Sequence, residues 1–390
     1  MRRISRIERR YVEEVLKNEF RSSYNNVYCH LMEERFAKLH GVKYAISHVN
    51  GTQTLHTALL ALGIRPEDEV IVPPLTMSST SIAVLQNGSN PVFADVDRKT
   101  FNISAESIEG NLSNKTKAII SVSLYGLPPD YDQITRLCKK YGLFLIEDNA
   151  QALLARYKGK VVGQFGDFAS YSFQASKHIT CGEGGILITN KKELADKARK
   201  FSNLGYAIVS ARHGKISKDM IQNPNFSRHT ILGYNYRMSE LLAALIFGQL
   251  ERAESLVNQR IKVAKMYDDA IKGTDLLIRQ EEPANCKNSY WTYAVILNTN
   301  KPDKDWFKFR IKFLKNGGDP FYAAWKLTYY EPLFQKIVQN MKGIRQRYKK
   351  GLCPTAEYLQ PRLIQLKTNY FKLNDAAKQA EALYKTIKEF

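Results

Sequence analysis

Short runs of β-branched and apolar residues alternate with amphipathic stretches through the first half of the chain, and this alternation restricts the fold more than any other feature. Tyr44 to Val49, Glu69 to Val72, Pro91 to Val96, Ala118 to Val122 and Phe144 to Ile146 each read as a buried strand. After the first, GTQTLHTALLALGI sets Leu55, Ala58, Leu59 and Leu62 at helical spacing, starting near Thr54, and a second helical segment covers Ser78 to Gln86. Strands that alternate with helices need right-handed crossovers, which give an α/β fold with a mostly parallel sheet flanked by helices. Ligands on such a sheet bind beyond the carboxyl ends of its strands.

The alternation weakens after Gly185 to Thr189. A long helical run follows, from Met238 to about Lys272, and SYWTYAVIL, Ser289 to Leu297, reads as an aromatic strand opening a different unit. The expected division is a large domain over 1–270, with an N-terminal helical segment and a long connecting helix, and a smaller α+β domain over 271–390. A chain of 390 residues, 44% hydrophobic, is long enough for both and for a sizeable core. No internal repeat interrupts this reading.

Several classes are disfavoured. No stretch of roughly 18 apolar residues suggests a membrane span. The opening MRRISRIERRYVEEVLKNEF is charged and amphipathic rather than signal-like, so the expectation is a cytoplasmic protein. Cys29, Cys138, Cys181, Cys286 and Cys353 lack CxxC or metal-type spacing and read as free thiols in a reducing compartment. Lysine and arginine outnumber aspartate and glutamate by 58 to 38, a formal charge of +20. Such a balance attracts anions, and nucleic acid is the first candidate, but no reading motif accompanies it. A lysine-rich solvated surface or a small anionic substrate accounts for the charge as well.

Four segments fall at strand ends or in the loops after them. Asn50, Gly51 and Thr52 stand at a helix start, either as an ordinary capping turn or as a phosphate seat. Asp148 in IEDNAQ ends a strand, either as a solvated turn or as a charge facing a ligand's cationic nitrogen. Lys177, in SFQASKHITCGEGG, is a surface lysine or a desolvated amine in a small-residue loop. His178 and Cys181 beside it are too few for a metal site. GYNYRMSE, Gly233 to Glu240, reads as a loop with Ser239 capping the long helix. Taken in order, a phosphate turn, a strand-end aspartate and a lysine on a parallel sheet are what pyridoxal phosphate needs.

Over nearly its whole length the chain resembles the DegT/DnrJ/StrS family of pyridoxal-phosphate-dependent sugar aminotransferases, of fold type I. The resemblance is carried by FAKLHGVKYAI, NGTQTLHTALLALGI, DEVIVPPLTMSST, PVFADVD, IEDNAQA, GDFASYSFQASKHITCGEGGILITN, LGYNYRMSELLAALIFGQLE and CPTAEYLQPRLIQL. It implies that Lys177 holds the cofactor as a Schiff base and shuttles a proton. Asp148 would pair with the pyridine nitrogen, and Gln151 would contact the ring's hydroxyl oxygen. Thr52, Gln53 and Ser172 would bind the phosphate. Asn235 would reach the phosphate of a neighbouring subunit, implying a homodimer with shared active sites.

Met77 departs from the family pattern, which often has a ring-stacking aromatic residue there, although a thioether can also pack on a ring. Asn149 stands where a small residue is usual, a point at which the hydrogen bonds of Asp148 could differ. Relatives with histidine in place of the lysine are sugar dehydratases, so Lys177 points to amino transfer. The resemblance further implies L-glutamate as donor, pyridoxamine phosphate as intermediate and a nucleotide-linked keto sugar as acceptor. Tyr322, Trp325 and Lys326 are candidate sugar contacts, with packing of the smaller domain as the plainer account. Tyr206, Arg212 and His229 lie in a loop that could cover the site. A dehydratase on the same fold and a non-catalytic basic binding protein stay open as alternatives.

Overall fold

A seven-stranded sheet organises the first two hundred residues. Its strands are β1 (Tyr44–His48), β2 (Glu69–Val72), β3 (Asn90–Phe93), β4 (Thr116–Val122) and β5 (Phe144–Asp148); after the two-residue strands β6 (Arg156–Tyr157) and β7 (Lys160–Val161) come β8 (Phe168–Ser172) and β9 (Gly185–Thr189). The spatial order is β1-β9-β8-β5-β4-β2-β3. From β3 through β2, β4 and β5 to β8 every pairing is parallel, and β9 runs antiparallel to both β8 and β1. The loop from β8 to β9, residues 173–184, contains no helix. It cannot make a crossover, so β9 turns back on its neighbour. The structure, a computed structural model, describes residues 3–19, 27–207, 219, 222–340 and 344–390.

Alternate strand residues feed two opposite layers. Ile46, Val70, Val72, Ile120, Ile146 and Leu187 pack with Leu55, Leu59 and Leu62 of the helix Gly51–Leu62. Ile71, Val92, Ile119 and Leu145 pack with Ile134 and Leu137 of the helix Tyr131–Tyr141. Because both faces are covered, β2, β3 and β9 are buried throughout, which is why they read as near-continuous apolar runs.

The helix expected from Met238 to about Lys272 is two helices, Glu240–Leu250 and Ala253–Ala270. No glycine or proline marks the break. At Arg252 the backbone leaves helical geometry (φ −118°), and its guanidinium donates to the Arg3 carbonyl and to Glu8 of the N-terminal helix Arg6–Lys17. Ser239 does sit at the helix N-cap, but its side chain makes no capping hydrogen bond.

A second, fully antiparallel sheet follows. It contains β10 (Leu277–Arg279), then, beyond β11 (Cys286–Lys287), the strands β12 (Thr292–Leu297), β13 (Tyr322–Ala323) and β14 (Leu363–Lys367), in the order β10-β12-β14-β13. Its core joins Tyr293 and Val295 to Phe309 and Phe313 and to Leu383 of the C-terminal helix Leu373–Glu389. β11 returns to the first unit and pairs with β6. All five cysteines are free thiols. Among the described residues no helix is long and apolar enough to cross a membrane.

Candidate active site

Beyond the carboxyl ends of β4, β5 and β8 lies a cavity of about 460 Å³, lined by Gly51, Thr52, Met77, Asp148, Gln151, Ser172, Lys177, Trp291 and Trp325 among others. Its floor is the start of the helix Gly51–Leu62. Asn50 caps that helix in extended conformation, its Oδ1 accepting from the Gln53 N–H at 2.9 Å. The N–H groups of Gly51 and Thr52 have no acceptor within the helix and stand at the positive end of its dipole. Two glycines close the floor. A Cβ on Gly51 would lie 2.9 Å from Cβ of Ser172, and one on Gly185 would lie 2.6 Å from the Asn50 carbonyl. Asn50 makes the ordinary capping turn, while Gly51, Thr52 and Ser172 face the cavity.

Asp148 closes β5 and is 4% exposed, so it is not a solvated turn. Its Oδ2 accepts from Thr80 Oγ1 at 2.9 Å and its Oδ1 from the Ala150 N–H at 3.2 Å. Burial pushes the carboxyl pKa up, and those two hydrogen bonds and the Lys177 charge oppose the shift. Such a carboxylate gains most from a cationic partner in the same cavity. Asn149 does not disturb it: its side chain accepts from Ser123 at 2.7 Å and donates to Glu147 at 3.1 Å. Gln151 is oriented by the backbone, its Oε1 accepting from the Tyr125 N–H at 2.7 Å. Its amide N–H₂ is thereby left as the donor toward the cavity.

Lys177 hangs from the loop between β8 and β9, which is pinned at both ends. The Phe173 N–H donates to the Gly184 carbonyl at 2.8 Å, and the Cys181 N–H to the Phe173 carbonyl at 3.1 Å. The amine stands 4.6 Å from the centre of the Trp291 ring. Desolvation lowers its pKa to about 8; Asp148 pulls the value up, Arg260 down and Glu183 up. The residue is half-buried, with its amine in the cavity rather than on the outer surface. His178 is turned away to the Ser289 carbonyl at 3.0 Å, and burial holds it far below its usual range. Cys181 donates to the Glu183 carbonyl. Among the described residues no group of three or more histidine, cysteine or acidic side chains could hold a metal.

Met77 and Trp325 form the outer wall, about half exposed at 47% and 46%. A second cavity of about 290 Å³ adjoins the first through Ser176, Trp291 and Trp325, and adds Arg260, Tyr322, Gln365 and Lys367. Other expected residues lie elsewhere. Gln53 spends its N–H on Asn50, and its side chain is not part of the lining. Asn235 is exposed and bridged to Asn203, and Lys326 is exposed outside both cavities. His229 donates to the Leu204 carbonyl at 2.8 Å and packs on Tyr206, and Arg212 lies outside the described residues. Sequence reasoning missed Thr80, Tyr125, Arg260 and Trp291. Each reaches the site through tertiary contact, and only the aromatic run SYW gave a local signal.

A helix N-terminus, a buried carboxylate and an amine of lowered pKa around one cavity fit pyridoxal phosphate. The sequence profile of the DegT/DnrJ/EryC1/StrS aminotransferase family matches residues 3–367. The chain belongs to this family. Among DegT/DnrJ/EryC1/StrS relatives, the GDP-perosamine synthase of Escherichia coli O157:H7 is 37% identical over 359 residues, covering 92% of this chain and 89% of that protein. The aminotransferase from Psychrobacter cryohalolentis, a crystal structure, superposes with a TM-score of 0.86 at 30% identity, over 99% of this chain and 98% of that one. The E. coli GDP-4-keto-6-deoxy-D-mannose-3-dehydratase, solved with hydrated PLP bound, shares the fold with a TM-score of 0.83 at 24% identity, over 99% of this chain and 98% of that one. The α/β architecture of this family is thus the fold type I aminotransferase fold, and pyridoxal phosphate is the cofactor its aminotransferases use.

Proposed function

We propose that this aminotransferase moves an amino group from L-glutamate to the keto group of a nucleotide-linked deoxy sugar. The observation that carries the reading is the convergence of Lys177 and Asp148 on one cavity whose floor is the anion seat of Gly51, Thr52 and Ser172. The 37% identity to a GDP-perosamine synthase supports a sugar nucleotide as acceptor. When bound, pyridoxal phosphate supplies an electron-accepting ring that holds the amino group between donor and acceptor.

The chain's own groups do the rest. Gly51, Thr52 and Ser172 would hold the phosphate, Asp148 would keep the ring nitrogen protonated, and Gln151 would donate to the ring oxygen. Met77, in the cavity wall, would offer its thioether to the ring. Lys177 would hold the cofactor's aldehyde end and, as a neutral amine, would serve as the base that carries a proton within the cavity. Its lowered pKa leaves part of it neutral near pH 7.

In this reading the enzyme is a homodimer in which Asn235 reaches the partner's phosphate. Support comes from the exposed apolar pair Ile231 and Leu232 beside it, the latter 83% exposed. We place the division between the large domain, 1–270, and the smaller one, 271–390, where the helix Ala253–Ala270 ends. The free cysteines favour a reducing, cytoplasmic setting.

The test is the visible spectrum with pyridoxal phosphate, before and after L-glutamate, followed by addition of keto sugars. A visible band that forms and is then lost to glutamate is the expected result. Failure of any band to form overturns the reading of Lys177 and favours a non-catalytic binding protein. Loss of water from the sugar without gain of nitrogen would mark a dehydratase.

A further inference from the structure

The helix Ala253–Ala270 belongs to two cores at once. Leu256 and Val257 pack with residues of the large sheet, whereas Val263, Ala264 and Tyr267 pack with the second sheet. Between them Arg260 is buried, 5% exposed. One terminal nitrogen donates to the Trp291 carbonyl at 2.7 Å and to Thr368 Oγ1 at 3.1 Å. The other donates to the carbonyls of Ser176 at 3.3 Å and Lys177 at 3.0 Å. Its hydrogen-bond partners among the described residues are thus neutral oxygens, with no carboxylate in an ion pair. A buried cation solvated in this way is costly, and an apolar side chain of similar length would fill the space without that cost.

What the charge holds accounts for it. The Ser176 carbonyl also accepts from Trp291 Nε1 at 3.0 Å, and Trp291 is the ring on which the Lys177 amine rests. Thr368 Oγ1 donates in turn to the Tyr290 carbonyl at 2.7 Å, with the Trp291 carbonyl 3.0 Å away. The Lys177 carbonyl accepts a further bond from Arg3 at 3.2 Å, and Arg3 also reaches the Ala175 carbonyl. Arg260 therefore fixes both the backbone that carries the lysine and the ring beneath its amine.

We propose that Arg260 is a positioning residue for amino transfer, locking the Ser176–Lys177 backbone against Trp291 so that the amine stays aimed into the cofactor cavity. It acts through Lys177 and rests on the reading of that lysine given above. Its charge has a second effect. Asp148 and Glu183 favour the protonated amine and Arg260 opposes them, while the buried His178 is neutral and Arg3 donates to the same Lys177 carbonyl as Arg260.

Full-length Arg260→Gln and Arg260→Lys decide the matter against the unmodified protein. In the cofactor-free protein, acetic anhydride labelling of Lys177 across pH, read by peptide mass spectrometry, reports how readily the amine loses its proton. In Arg260→Gln the labelling profile moves to higher pH, and labelling at neutral pH falls at least about threefold. Its kcat falls at least about tenfold while KM stays within about threefold. Arg260→Lys keeps the labelling profile but not the kcat, because an ammonium cannot grip two carbonyls as a planar fork does.

Unchanged kcat and labelling in both variants overturn the proposal. So does a change in KM alone, which would assign Arg260 to a ligand of the second cavity. If Arg260→Gln does not fold, Arg260→Lys and Thr368→Val decide on the same two readouts, with reduced kcat expected in both. An unmodified protein that forms no band with pyridoxal phosphate would instead remove the premise about Lys177, and that outcome is read without any Arg260 variant.

Discussion

The floor and the outer wall of the cavity are built on different terms. On the floor, the functional groups are backbone N–H donors or side chains fixed by backbone: Asn50 by Gln53, Asp148 by Ala150, Gln151 by Tyr125. On the wall, Met77 and Trp325 are 47% and 46% exposed, with no hydrogen bond fixing either side chain among the described residues. Positions held by backbone geometry tolerate little change, whereas exposed aromatic and thioether side chains can be exchanged without disturbing the sheet. If the proposed function holds, the floor would serve the cofactor and the wall the sugar.

Substitutions on the floor should therefore have the largest consequences. Lys177→Ala should lower amino transfer by at least about a thousandfold and abolish the visible band, since both the anchor and the proton carrier are lost. Asp148→Asn should cost about a hundredfold or more in kcat. It carries a pH signature as well. Cofactor uptake by the empty protein needs the neutral amine, so its rate should rise with pH through a midpoint near 8. Because Asp148 raises the Lys177 pKa, removing its charge should move that midpoint to lower pH in a stopped-flow titration. The opposite shift would break the assignment of the pair.

Gly185→Ala should act without touching chemistry. The new methyl would meet the Asn50 carbonyl at 2.6 Å, and relief of that contact should cost ~1–3 kcal/mol of stability together with weaker phosphate binding. Thermal melts with and without inorganic phosphate would check both effects. The smallest effect belongs to the wall. Trp325→Ala should raise KM for the sugar nucleotide by up to about tenfold, the worth of one aromatic contact, and leave the glutamate half-reaction intact. A lost glutamate half-reaction in that variant would erase the distinction between floor and wall.

The regions differ equally in how far the sequence disclosed them. β2 and β9 match their apolar runs end for end, because a strand buried on both faces writes its limits in composition. Asp148 and Lys177 could be singled out as candidates because strand ends and the small-residue loop are local features, whereas Ser172 entered only through the family resemblance. Thr80 was not, since a hydroxyl that orients Asp148 looks like any other in the run SSTS. Arg260 reads as one more cation on an amphipathic helix, and only the meeting of two cores buries it. The break at Arg252 is likewise written in its partners, Arg3 and Glu8, some 250 positions away, rather than in the helix itself.

The closeness of Gly185 to Asn50 carries a consequence for the order in which the protein is made. His48 pairs with Gly185 at the junction of β1 and β9, so the turn that would grip phosphate gains its wall only when the ninth strand arrives. On a ribosome, a nascent chain that has not yet delivered Gly185 has neither a partner for its first strand nor a completed anion seat. Capture of cofactor during synthesis would thus report that the first unit had closed, and could not serve as the nucleus around which it closes.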